Sequence, residues 1–135
     1  MRWKTAEELG IEPDILEALV WVRQQLADGA IKYFATDLRD STAEFPIVEG
    51  RYFNMQVILL NFVNDHGCGS VGCIKGWMQE YLKRTIEQSH PLHDLFYPPS
   101  KTIGPLKWFD ITPEMAVRTI DHYRATGDIV WYLES

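Results

Sequence analysis

Only two cysteines, Cys68 and Cys73, occur in 135 residues, too few to cross-link a secreted scaffold. No run of like charge is long enough to make a tail. No apolar run approaches the roughly 20 residues that cross a bilayer. The longest, residues 57–63, is broken by Asn61. Basic residues are the minority, 13 Lys and Arg against 19 Asp and Glu, for a net charge of −6. That balance disfavours nonspecific nucleic-acid binding, where phosphate neutralisation supplies most of the affinity. The first eight residues also lack the apolar centre of a signal peptide. Taken together, these absences predict a cytoplasmic protein with neither a membrane segment nor a nucleic-acid partner.

What is present is a core. Apolar residues make up 46% and charged ones 24% of the chain, the composition of a globular protein. The length suits a single domain over residues 1–135, which can bury about two-thirds of its extended surface without a disulfide or metal. Aromatic doublets recur, among them Tyr52-Phe53, Trp108-Phe109 and Trp131-Tyr132. Doublets on strands present one ring to each face, so one ring can be exposed and favour a protein-binding surface, although most of these rings are expected in the core.

Caps and periodicity predict the helices. Pro13 suits a first turn, Ile15, Leu19, Val22 and Leu26 share one face, and Gly29 stops a helix over residues 13–28. Residues 31–34 either extend it or form a short extended piece. Residues 45–48 and 51–53 flank Glu49-Gly50 as a weak hairpin would. Asn54 as N-cap, then Met55, Ile58, Leu59, Phe62 and Val63 at helical spacing, predict a helix to His66 with Gly67 beyond it. Ser70 is the expected cap of a second helix whose apolar face is Ile74, Trp77, Met78, Tyr81 and Leu82. The two make an αα-hairpin over residues 54–88. Thr112-Pro113-Glu114 opens a last helix that Gly127 closes, and residues 129–133 read as a terminal strand paired near residues 45–53. The expected fold is mainly α, a compact helical domain built on that central αα-hairpin with a minor short β element.

The chemistry concentrates in Gly67-Cys68-Gly69-Ser70-Val71-Gly72-Cys73. His66, Cys68 and Cys73, completed by His90 or His93, could ligate zinc, although the spacing matches no standard knuckle. Cys68 ahead of a helix start could be an activated thiol with His66, His90 or His93 as its base. Gly67 to Ser70 could offer N–H donors to an anion, but neither a P-loop nor a dinucleotide fingerprint is present. The plain reading makes the cysteines small buried residues where glycines let two helices touch. His122 and Asp121, with Arg118 and Arg124, read as a solvated face of the last helix. Asp37, Asp40, Glu44 and Glu49 lack the ligand order of a calcium loop.

Phe53-Asn54-Met55, followed by Cys68-Gly69-Ser70-Val71-Gly72-Cys73-Ile74-Lys75-Gly76-Trp77, resembles a pattern of small uncharacterised bacterial and phage-borne proteins. Their form is Cys-Gly-(Ser/Thr)-x-x-Cys-x-x-Gly, and the segment from Thr112 to Trp131 is similar to their C-terminal part. The resemblance implies a phage, prophage or mobile-element setting and no activity. The expectation is therefore a non-enzymatic, acidic protein-binding protein without a cofactor. Its binding residues would be His66, Cys68, Gly69, Ser70, Cys73, Trp77 and Trp108, with a zinc or thiol protein as the alternative.

Overall fold

The computed structural model describes residues 3–33, 50–55, 59–64, 67–98 and 111–131, with residues 59–64 and 67–71 described by their backbone. Helix predominates, as expected: α1 (Ala6–Leu9), α2 (Pro13–Ala27), α3 (Ile74–Leu82), α4 (His93–Phe96) and α5 (Pro113–Thr126). A small sheet is formed by β1 (Ile31–Tyr33), β2 (Gly50–Phe53), β3 (Leu59–Asn64) and β4 (Gly67–Gly72), in the order β1-β2-β4-β3. The first three strands in that order are parallel, and β3 lies antiparallel on β4.

The best-capped segments fold as their sequence predicts. Helix α2 carries Pro13 in its first turn, and Gly29 just beyond it has φ 76°, a value glycine adopts without steric cost. Thr112 caps α5 by accepting the Met115 N–H at 3.2 Å, and Gly127 closes it with φ 84°. Helix α1 is an element the spacing argument passed over, although its signal is local: Thr5 and Glu8 form a reciprocal capping box.

The central αα-hairpin is overturned. Residues 59–64 are strand and pair with residues 67–72, so the middle of the chain is a β-hairpin with Asn64 opposite Gly67. The helical spacing at Ile58, Leu59, Phe62 and Val63 is matched trivially, because nearly every position there is apolar. Three glycines in six residues make β4 a poor helix, at about 1 kcal/mol each. As a strand, β4 has its backbone hydrogen-bonded by β2 on one side and β3 on the other. Gly67 is therefore no helix stop and Ser70 no helix cap. Asn54 is no cap either; it is buried and its N–H donates to the Gly72 carbonyl at 3.0 Å. Helix α3 starts at Ile74 and ends at Leu82, where Lys83 takes the left-handed conformation at φ 59°.

The C-terminal strand is also corrected. Residues 129–131 are not a strand, and both edges of β2 are already taken by β1 and β4. Trp131 instead buries its ring and donates its indole N–H to the Asp94 carbonyl at 3.1 Å. The first half of the expected 45–53 hairpin lies outside the described residues, and Arg51-Tyr52-Phe53 falls in β2. Asp121 leaves its own helix face: it accepts both Nε and Nη2 of Arg23 on α2, at 2.9 and 3.0 Å.

Helix α2 packs against α3 on one flank and α5 on the other. Ile15, Leu19 and Val22 of α2 are fully buried with Phe53 of β2, Ile74 and Met78 of α3, and Ile120 of α5. Trp77 anchors α3 to the sheet by donating its indole N–H to the Tyr52 carbonyl at 2.9 Å. Among the described residues no helix is long and apolar enough to cross a membrane.

Candidate functional site

Because β2 and β4 run parallel, their carboxyl ends lie side by side, Phe53 opposite Gly72. In open sheets with parallel strands, ligands bind beyond such ends. Here the next residues are Asn54, Cys73 and the first turn of α3. Cys73 is the N-cap of α3, and its Sγ accepts the Gly76 N–H at 3.4 Å. Lys75, in that first turn, is only 5% exposed. Its ammonium donates to the Tyr97 hydroxyl at 3.4 Å and stands 5.4 Å from the centre of that ring. The His93 and Tyr97 ring centres lie 5.0 Å apart.

The environment of Cys73 decides its chemistry. Burial pushes the thiol above its ordinary 9.0, more strongly than the Gly76 and Lys75 amides and the Lys75 charge pull it down. At neutral pH it is a protonated, enclosed thiol, not an activated nucleophile. His90 is committed as well. Its Nδ1 accepts the Leu92 N–H at 3.2 Å, so Nε2 carries the proton and donates to Glu12 at 2.9 Å. That bond to His90 is the chief reason the Glu12 carboxyl lies below its ordinary 4.5. His93 donates from Nδ1 to the Gln88 carbonyl at 3.0 Å.

Of the expected cysteine–histidine corner, the described side chains are Cys73, a helix cap, and His90 and His93, which bond to Glu12 and to the Gln88 carbonyl. Gly69 is a backbone partner of Gly50 and Phe62 inside the sheet, and Trp77 is a core anchor. Cys68 and Ser70 are placed on β4 by their backbone alone, while His66 and Trp108 lie outside the described residues. Among the described residues no three of His, Cys, Asp and Glu converge on a point that could hold a metal ion.

A second constellation lies on the outside of the α2–α3 pair. The Trp21 and Tyr81 rings stack at 5.0 Å, tilted by 32°, and Tyr81 donates its hydroxyl to Glu17. Arg51 of β2 is exposed, and its guanidinium carbon lies 5.7 Å from the Trp21 ring centre and 6.0 Å from that of Trp77. No carboxylate pairs with Arg51 among the described residues.

A third feature is an open concavity of about 850 Å³ between the end of α2, strand β1 and the start of α5. Asp28 and Glu114 face Lys32 and Arg118 around its wall, so no charge of one sign prevails.

Sequence reasoning missed Lys75, Tyr97, Arg51 and the Trp21–Tyr81 pair. The one available signal was Lys75 itself, a lysine inside the apolar run Cys73-Ile74-Lys75-Gly76-Trp77-Met78. The chain matches no protein-family model, no curated protein and no solved structure.

Proposed function

We propose that this is a non-enzymatic protein-binding domain that meets its partner through the Trp21–Tyr81–Arg51 face. The observation that carries the reading is the stack of half-buried Trp21 on exposed Tyr81 beside exposed Arg51, which no carboxylate among the described residues pairs. Tryptophan, tyrosine and arginine are the side chains that dominate the energy of protein interfaces. Their rigid rings add contact area at little entropic cost, and the arginine adds directional donors. The resemblance to phage-borne proteins suits such a role, with a host protein as the partner. An enzymatic alternative through Cys73 has less to recommend it, given the buried and protonated thiol.

The test is affinity capture from the native host, followed by titration of the captured protein. Trp21→Ala and Arg51→Ala are each expected to weaken binding by at least about tenfold. Lys75→Met, away from the face, should leave it unchanged. Equal affinity for the wild type and both face variants would remove the proposal.

A further inference from the structure

We propose that the buried ammonium of Lys75, held against Tyr97 where β4 runs into α3, binds a single carboxylate group of a ligand. Lys75 is 95% withdrawn from water, and one of its three N–H donors goes to a neutral hydroxyl. No carboxylate among the described residues lies within ion-pair distance of it; the ion pairs there are Arg23–Asp121, Lys83–Glu80, Arg84–Asp14 and His90–Glu12. Cys73, two residues before Lys75, stays protonated because it is enclosed. Enclosing a cation that no carboxylate among the described residues offsets is costly, and an anion supplied from outside offsets that cost.

Three features select the kind of anion. The amides of the α3 start are directed at the Cys73 sulfur, so the ammonium, and not the helix end, is the binding group. The positive end of the helix dipole still favours negative charge there. One cation balances one negative charge, whereas a phosphate group carries between one and two at neutral pH and leaves the excess in a poorly solvated place. A carboxylate fits that count. The position, beyond the carboxyl ends of parallel β2 and β4, is where such sheets receive ligands. The inference is independent of the aromatic face, which lies across other residues.

The experiment titrates the full-length protein with sodium acetate at constant ionic strength, followed by backbone amide NMR and thermal melting. Saturable shifts centred on residues 73–77 are expected, with a raised melting temperature. Lys75→Met, which keeps the length of the side chain, should weaken acetate at least tenfold, while Lys75→Arg should retain it. Inorganic phosphate at the same ionic strength should bind more weakly than acetate. Triglycine binding as tightly as acetate would identify a peptide terminus as the source, and acetate binding alone a free acid; either supports carboxylate recognition. Acetate shifts that do not saturate, that centre elsewhere, or that persist unchanged in Lys75→Met overturn the proposal, as does a preference for phosphate. Should Lys75→Met fail to fold, the amide map of the wild type and the Lys75→Arg titration decide alone.

Discussion

Two of the cations that lie against aromatic rings, Arg51 and Lys75, are opposites in their surroundings. Arg51 rests on Trp21 and Trp77 in water, while Lys75 stands over Tyr97 and is almost wholly enclosed. The guanidinium keeps its hydration, so its ring contacts position it at little cost. The ammonium has exchanged water for one hydroxyl and a ring face, which together replace only part of what it lost. The same contact is therefore a preorganised surface group in one place and a demand for an anion in the other.

The largest expected effect tests what the two share. Trp77 lies beneath Arg51 and two residues beyond Lys75, and it is 2% exposed. Trp77→Ala should cost about 3–5 kcal/mol in urea unfolding. Trp21→Ala, at the half-exposed end of the same cluster, should cost no more than about 1 kcal/mol. Similar losses for both would mean that the outer stack belongs to the core.

The cations themselves come next. In a buffer without carboxylates, Lys75→Met should raise stability by about 1–2 kcal/mol, because a packed apolar chain replaces an uncompensated buried charge. Arg51→Met should stay within about 0.5 kcal/mol of the wild type. A loss of stability in Lys75→Met as large as that of Trp77→Ala would erase the distinction.

Chemical labelling extends the comparison to Cys73, enclosed beside Lys75. In a Cys68→Ser background, alkylation of Cys73 at neutral pH should proceed only as fast as the chain opens, and so accelerate with added urea. Rapid labelling without denaturant would mean that the turn is open.

The smallest effect concerns a buried base that does have its counter-acid. His90 donates to Glu12, and the Glu12 carboxyl lies below its ordinary 4.5. A carboxyl depressed on folding contributes stability above its unfolded value and loses it as the pH falls through the folded one. The difference in urea midpoint between the wild type and Glu12→Gln should therefore be present at neutral pH and shrink below about pH 4.5. Because Glu12 is half-exposed, solvent screening keeps this difference small.

How legible the protein was depends on where each segment finds its hydrogen bonds. The outer helices were legible: Pro13 and Gly29 bound α2, and Thr112, Pro113 and Gly127 bound α5. Each of those signals acts within a few residues. The middle was not, since an apolar run matches helix and strand templates alike until its partner is known. The site followed the same division. Cys73 and the turn before α3 stood out as residue types, but His90 proved bound to Glu12 across 78 positions of sequence and Lys75 to Tyr97 across 22.

By itself, the sequence determined the acidic charge, the apolar core and the ends of the long helices, because composition and caps operate without long-range contacts. Tertiary structure alone decided that residues 59–64 and 67–72 are strands. A glycine-rich segment gains its hydrogen bonds only when β2 and β3 flank it. The same packing that places β4 between them also enclosed Lys75, since burial is a property of neighbours and not of the residue.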